Sequence, residues 1–197
     1  DTRAMLAPDN ATARGGRPPA VYLQQGLVKL TSQEGSTFPG LVAPGLELLP
    51  FSGSAVVQVG KGDRAVFAEA ARLEVGERHS GGVPRFLKAG EFYSGDGKRA
   101  GIVAERPTAD WLKQVPRAFR DPLPLRAAAL RDKPFEAPPL PGPTYEQLAR
   151  WLGAEPYVRR DFVSRFKPLA RDAAFRRALQ SHLASHPEWA VVLSPDR

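Results

Sequence analysis

Two histidines at helical spacing are the first residues in this chain whose types and positions could do chemistry. His182 and His186 lie four residues apart at the end of a helix predicted over Asp172 to Ser185, and metal sites often use that spacing. Glu188 could supply a third ligand. However, Pro187 interrupts the helix, and the segment lacks the glutamate of the metalloprotease motif. His182 and His186 are therefore candidate metal ligands, but the pattern predicts no metal and no other cofactor.

Glutamates in the middle of the chain could form the acid and base pair of a glycosidase. The glutamates concerned are Glu69, Glu74, Glu77 and Glu91. In the predicted strand from Arg72 to Glu77, acidic and basic residues alternate with Leu73 and Val75. That alternation is typical of a solvated strand face with cross-strand charge pairs, so we expect no catalytic pair here.

Two further patterns resemble catalytic motifs only in part. Ser52, Ser80 and Ser94 adjoin glycines but lie outside any nucleophile-elbow pattern. The segment from Gly60 to Asp63 lacks the glycine spacing and the Lys-Ser/Thr pair of a phosphate loop, so it predicts a tight turn. We therefore predict no catalytic residues and no enzyme, with a glycan-acting enzyme as the third alternative.

Basic residues near the C-terminus give the clearest binding signal. Between Thr144 and Trp189 there are eight Arg or Lys residues against five acidic ones. Paired arginines on short helices could read DNA, but the aromatic residues fall on apolar stripes that predict a core. Six arginines are candidate partner-binding residues: Arg117, Arg120, Arg159, Arg160, Arg176 and Arg177.

Arginines around Phe119 suggest a second role. We expect Arg117, Arg120 and Arg126 to fix this part of the chain to the preceding domain through carboxylates such as Glu91 or Asp121.

Composition limits the remaining possibilities. The chain has 197 residues, of which 42% are hydrophobic, so it can bury a core. It has no cysteine, which removes disulfides and thiolate sites, and no apolar run long enough for a membrane span. A net charge of +7 favours anionic partners such as an acidic protein face or an acidic glycan. Because the chain begins at Asp1, we expect that a leader peptide preceding this residue has been removed.

Residues 20–104 are rich in β-forming residues separated by turn signals, which predicts a β-sandwich or jelly roll. The segment from Ala65 to Gly95 aligns with the segment from Ala20 to Gly53, with Pro44-Gly45 and Ala89-Gly90 as equivalent turns. The domain is therefore predicted to consist of two similar halves.

The regions on either side differ in character. Residues 1–19 predict a flexible leader, and residues 105–143 a connector with a short helix capped by Thr108, followed by a proline-rich linker. Residues 144–197 predict a small domain of three helices, which begins with a capping box of Thr144 and Gln147. The predicted fold is thus mainly β with a helical tail.

The strand rhythm of residues 20–104 resembles the FecR-like periplasmic domain of bacterial envelope proteins. The segments that carry this resemblance are Val28-Lys29-Leu30, Leu41-Val42-Ala43-Pro44-Gly45, Ala65-Val66-Phe67, Leu73-Glu74-Val75 and Leu87-Lys88-Ala89-Gly90-Glu91. The chain departs from the family in the turn after Val59, where Gly62-Asp63 stands in reversed order. The resemblance implies a β-rich, non-enzymatic periplasmic module for signalling or scaffolding.

These observations predict a non-catalytic module of the bacterial cell envelope that holds a protein or glycan partner. We expect it in the periplasm or cell envelope, although the cytoplasm is not excluded. The alternative is a DNA-binding or regulatory protein that uses the basic helical tail, although the aromatic pattern makes nucleic acid the less favoured partner.

Overall fold

The chain folds into two compact units. The computed structural model describes residues 2–6, 21–77, 83–96, 98–120 and 141–194. The first unit, Asp1–Leu125, is built mainly of strands, and the second unit, Arg126–Arg197, is helical. The prediction of a mainly β protein with a helical tail is therefore confirmed.

In the described part of the first unit, ten strands join in one mixed sheet. The strands are β1 Arg3–Leu6, β2 Val21–Thr31, β3 Leu41–Ala43, β4 Leu46–Leu48, β5 Ser54–Val59, β6 Arg64–Phe67, β7 Leu73–Glu77, β8 Arg85–Leu87, β9 Phe92–Gly95 and β10 Ile102–Ala104. Their order is β10-β9-β6-β5-β2-β3-β4-β7-β8, and β1 also pairs with β2.

Strand β2 organises this sheet because its two halves pair with different strands. Residues Gly26 to Thr31 run antiparallel to β5, whereas Val21 and Tyr22 lie parallel to β3, and the first half also pairs with β1. Gly26, at the junction, has a φ of 107°, which favours glycine. Leu41 and Leu73 from one part of the sheet and Val66 and Tyr93 from the other belong to one buried core. The sheet is therefore nearly closed around that core.

The predicted sandwich or jelly roll of two similar halves is not confirmed. The aligned segments around Val21 and Val28 lie in one continuous strand, β2, whereas those around Val66 and Val75 lie in separate strands, β6 and β7. Gly45 and Gly90 both adopt positive φ, as equivalent turns would. However, the first turn joins two paired strands and the second joins β8 to β9, which do not pair with each other.

Two predicted boundaries differ from the structure. Residues 3–6, assigned to the flexible leader, form β1, while residues 7–19 lie outside the described part. Helices α1 Ala109–Gln114 and α2 Arg117–Arg120 were assigned to the connector but lie within the first unit. Most of the predicted proline-rich linker is not described.

The second unit contains short helices around a small apolar core. In the described part they are α3 Tyr145–Leu152, α4 Pro156–Phe166, α5 Ala173–Ser181 and α6 Ala190–Leu193, with 3₁₀ helices Lys167–Arg171, Leu183–Ser185 and Pro187–Trp189. The capping box of Thr144 and Gln147 is confirmed at the start of α3. The unit therefore has more, shorter elements than the three helices predicted. No helix in the described ranges is both long and apolar enough to cross a membrane.

Candidate binding groove

Helix α1 covers one end of an outer sheet face formed by β5, β6, β9 and β10. Thr108 caps the helix by accepting a hydrogen bond from the Trp111 backbone N–H at 3.2 Å, as the sequence predicted. Trp111 and Val115 then pack on Val56 and Phe92, with the Trp111 and Phe92 ring centroids 4.9 Å apart. The apolar face of α1 is thus buried on the sheet, and it leaves the far end of that face uncovered.

A groove of about 520 Å³ occupies the uncovered end, between α1 and β10. Its floor is a row of residues that pair across four strands: Gln58 with Ala65, Ala65 with Ser94, and Ser94 with Ile102. Paired residues share a face of the sheet, so all four face the same side as Phe92. The small side chains of Ala65 and Ser94 in the centre of the row leave space beside Trp111.

Polar side chains lie in the wall of the groove. Gln58 Nε2 donates a hydrogen bond to Gln114 Oε1 at 3.3 Å. Gln58 Oε1 and Trp111 Nε1 are buried and have no hydrogen-bond partner among the described residues. A buried polar atom without a hydrogen bond costs about 1–3 kcal/mol of free energy.

Charged residues of both signs line the rim, namely Asp63, Arg64, Asp96 and Arg99. The Asp96 carboxylate accepts backbone hydrogen bonds from Lys98 and Arg99 at 2.8 and 3.0 Å. Both hydrogen bonds lower the pKa of Asp96, and the bond from Lys98 makes the larger contribution. Arg64 donates to the backbone oxygen of Pro44.

The rim segment that precedes β10 contacts Glu77 and Tyr93. The Gly101 N–H donates to Glu77 Oε1 at 2.7 Å, and a side chain at Gly101 would overlap the Tyr93 ring. Burial, and secondarily the Glu77 carboxylate, raise the pKa of Tyr93, so its hydroxyl stays neutral. Glycine at position 101 therefore lets the rim approach the buried Tyr93.

Strand β10 forms an open edge next to the groove. Among the described strands it pairs with β9 alone, and all three of its residues are exposed. Ile102 is 70% exposed and lines the groove. The opposite edge of the sheet, β8, carries Phe86, which is also 70% exposed.

The glutamates considered as a catalytic pair serve other contacts. Glu69 lies 2.7 Å from Lys29 Nζ and accepts a hydrogen bond from Ser54 Oγ at 2.7 Å. Glu91 Oε2 accepts from the Lys88 backbone N–H at 2.7 Å. Leu73 and Val75 are buried, and Glu74 between them is not, as the predicted alternation requires.

The two candidate metal ligands flank one tyrosine. The α-helix ends at Ser181, so the prediction that His182 and His186 share one helix face is wrong. The His182 ring stacks on Tyr145, and its Nδ1 lies 2.9 Å from the Ala178 carbonyl oxygen. His186 is fully buried, with Nε2 3.1 Å from the Tyr145 hydroxyl.

Glu188, the third possible ligand, instead forms an ion pair with Arg159, in which its Oε2 lies 2.9 Å from Nε. Within the described ranges, no three His, Cys, Asp or Glu residues are grouped to hold a metal ion.

The candidate partner-binding arginines are divided between the units. Arg117 and Arg120 lie on α2 in the first unit, and the other four lie in the second. Arg159 binds Glu188 and the Ser185 carbonyl oxygen, while Arg176 donates to the Leu193 carbonyl oxygen at 2.8 Å.

The other two lie on the surface. Arg160 and Arg177 are exposed, and Arg177 contacts its own helix through the Ala173 carbonyl oxygen. Within the helical unit, two of the four arginines are therefore engaged in internal contacts and two are exposed.

The Phe119 segment is attached to the sheet through Lys29. Lys29 Nζ donates to the Phe119 carbonyl oxygen at 2.8 Å, and the Phe119 ring packs on the cluster of Val56 and Trp111. Arg120 is exposed, and Glu91 Oε2 accepts a hydrogen bond from the Lys88 backbone N–H, so the predicted attachment through Arg120 and Glu91 is not confirmed. Asp121 and Arg126 lie outside the described residues.

The groove itself did not emerge from the sequence. The sequence predicts a short helix capped by Thr108 and strands up to residue 104, but it indicates no link between them. One signal was present: Gln58 interrupts the apolar run from Ala55 to Val59. A polar residue at an inward or covered strand position indicates a polar contact on that face.

Comparison with known proteins gives few matches. No protein-family model and no curated protein matches this chain significantly. Two crystal structures of a candidate anti-sigma factor from Parabacteroides distasonis, at 1.65 and 2.50 Å resolution, are similar to it. In each, the identity is 14% and the TM-score is 0.39, and the match covers 54% of this chain and 56% of the other. This chain thus spans about half the length of those structures, and the similarity is too low to assign a function.

Proposed function

We propose that this protein is a non-catalytic module that binds an extended segment of a protein partner in the groove beside β10. The observation that carries this proposal is the position of an open strand edge directly against a groove lined by Ile102, Phe92 and Trp111. An extended peptide adds to such an edge through main-chain hydrogen bonds, and neighbouring pockets select its side chains.

The edge of β10 complements a peptide, because its backbone groups can pair with those of an added strand. The exposed Ile102 side chain would at the same time be covered by an apolar residue of the partner.

A binding role fits the groove better than catalysis. Its ionisable lining residues are Asp63, Arg64, Asp96 and Arg99, and the described lining includes no histidine or lysine to act as a base near neutral pH. The Asp96 carboxylate is held by backbone hydrogen bonds, which lower its pKa and make it a poor base.

The cellular setting belongs to the same proposal. The FecR-like rhythm of residues 20–104 supports a role in signalling or scaffolding in the bacterial envelope, with the module in the periplasm. The helical unit supports DNA reading less well, because Arg159 and Arg176 are engaged by Glu188 and by backbone carbonyl oxygens.

Selection from a library of displayed peptides tests the proposal without knowledge of the partner. Selected peptides should bind the wild-type protein and lose at least about tenfold in affinity, or about 1.4 kcal/mol, on the substitution Ile102→Lys. The matched control is Phe86→Lys, which places the same charge on an equally exposed residue of the opposite edge strand. This control should bind the peptides as the wild-type protein does.

Trp111 gives a second readout in the same experiment. A variant with Trp151→Phe and Trp189→Phe keeps Trp111 as its one tryptophan, so its emission should change when a selected peptide binds. The proposal fails if the library yields no binder, if Ile102→Lys leaves the affinity unchanged, or if Phe86→Lys weakens binding equally.

A further inference from the structure

A second concave site lies in the helical unit, far in sequence from the groove. It has a volume of about 280 Å³ and lies where α4, the 3₁₀ helix Lys167–Arg171, α5 and α6 meet. Its lining residues are Ser164, Lys167, Pro168, Ala170, Arg171, Arg176 and Val192. This described lining holds three cations and no carboxylate, which distinguishes it from the mixed rim of the groove.

Local structure positions the three cations around the concavity. Pro168 occupies the first turn of the 3₁₀ helix, where its fixed φ is tolerated, and Lys167 and Arg171 stand at the two ends of that helix. Arg176 is partly buried, and its Nη2 donates to the Leu193 carbonyl oxygen at 2.8 Å. One guanidinium is thus held in place while the two neighbouring cations are exposed to solvent.

Nearby carboxylates are used by other contacts. Asp172, next to Arg171, caps α5 by accepting a hydrogen bond from the Phe175 N–H at 2.8 Å. Glu188 is paired with Arg159. Neither carboxylate lines the concavity, so its described lining carries positive charge only, and like charges in close proximity favour a bound anion.

We propose that this concavity binds a phosphate group through Lys167, Arg171 and Arg176. Arginine offers planar donor pairs to phosphate oxygens and lysine a compact charge, a combination common in phosphate sites. The concavity, with a volume of about 280 Å³, has room for a phosphate group.

Titration of the full chain with inorganic phosphate at constant ionic strength tests this site. The NMR resonances of the backbone amides report the binding. We expect saturable shifts at Lys167 and Arg171, and at least a tenfold weaker apparent Kd in the double variant Lys167→Gln, Arg171→Gln. The matched control, Arg160→Gln with Arg177→Gln, removes two exposed charges of the same unit that do not line the concavity. It should bind phosphate as the wild-type protein does.

Two kinds of vesicle identify the source of the phosphate. Binding to vesicles that contain phosphatidylglycerol, but not to phosphatidylcholine alone, with the same sensitivity to the double variant, would identify a lipid headgroup. Phosphate binding without vesicle binding would identify a free phosphate or a soluble ester.

The proposal is overturned if phosphate produces no saturable shifts. It is also overturned if the control variant loses as much affinity as the double variant, because the charge of the unit would then act only as a diffuse field. Neither outcome bears on the groove, which lies in the other unit and is tested with peptides.

Discussion

His186 combines full burial with a titratable ring. Its Nε2 faces the Tyr145 hydroxyl, and Arg159, Glu188 and His182 are the charged or titratable groups around it. Burial is the main cause that lowers the pKa of His186, with smaller contributions from His182 and Arg159. The folded unit therefore holds this imidazole in its neutral form.

This arrangement predicts a stability that depends on pH. In the unfolded chain the imidazole takes up a proton as the pH falls below about 6.5, whereas the folded state resists protonation. The contribution is thus complete above pH 6.5 and should be lost progressively below it. Chemical unfolding of the helical unit between pH 5 and 7.5, followed by circular dichroism, measures the loss.

The substitution His186→Gln should flatten that dependence, whereas His182→Gln, at an exposed position, should leave most of it, because burial is the larger cause of the shift. A pH dependence unchanged in His186→Gln would contradict the assignment.

Gly53 is the residue where backbone conformation matters most in the first unit. Its φ is 109°, and an added Cβ would meet the Ala70 carbonyl oxygen. The substitution Gly53→Ala should therefore lower the free energy of unfolding by more than about 2 kcal/mol. Gly62→Ala is the control, because nothing lies within 4 Å of its added Cβ, and it should change stability by less than about 0.5 kcal/mol. Equal effects of the two substitutions in urea unfolding would show that the close approach at Gly53 is absent.

At the level of elements, a partly buried ion pair joins α2 to the sheet. Lys29 on β2 reaches Glu69 at 2.7 Å and the Phe119 carbonyl oxygen at 2.8 Å, and its side chain is 25% exposed. Ser54 Oγ donates to the same carboxylate. The sequence did not suggest this network, because it depends on β2 placing a lysine next to α2, which is distant in sequence.

Removal of the Lys29 charge should loosen α2 and lower stability. We expect Lys29→Met to cost about 1–2 kcal/mol, because Glu69 and the Phe119 carbonyl oxygen each lose a charged donor. The control is Lys113→Met, whose partner Asp110 and own side chain are 86% and 75% exposed, so it should cost less than about 0.5 kcal/mol. Thermal unfolding of both variants provides the comparison. Equal midpoints would exclude an attachment by Lys29.

Other elements followed closely from local sequence. Thr108 and the Thr144–Gln147 box fixed the starts of α1 and α3, since capping depends on residues within one turn. The predicted helix over Asp172 to Ser185 was too long, because its last turn tightens into a 3₁₀ helix that buries His186. Such a change depends on packing with Tyr145, which is distant in sequence.

At the scale of the whole molecule, the order of the strands in the sheet sets which parts of the first unit are most protected. Strand β5 lies between β6 and β2, whereas β10 has one neighbour among the described strands. Hydrogen exchange measured by mass spectrometry should therefore be at least about 100-fold slower in β5 than in β10. A selected groove peptide should slow exchange in β10 and leave β8 unchanged. Similar rates in β5 and β10 of the free protein would contradict this strand order.

The sequence alone determined the class of each region. Alternating and β-branched residues indicated strands up to Ala104, and apolar stripes with caps indicated helices after Thr144, because these signals act within a few residues. They also placed Leu73 and Val75 in the core and predicted the turn from Gly60 to Asp63, where the Gly60 N–H donates to the Asp63 carbonyl oxygen.

Tertiary structure decided how these elements meet. In the apparent repeat, the segments around Val21 and Val28 share one long strand, whereas the aligned segments around Val66 and Val75 form two, because pairing in a sheet joins residues far apart in sequence. The groove depends on α1 covering only part of a sheet face, and the phosphate site on four elements that bring Lys167, Arg171 and Arg176 together. The sequence supplied the residue types, and long-range packing determined which of them share a site.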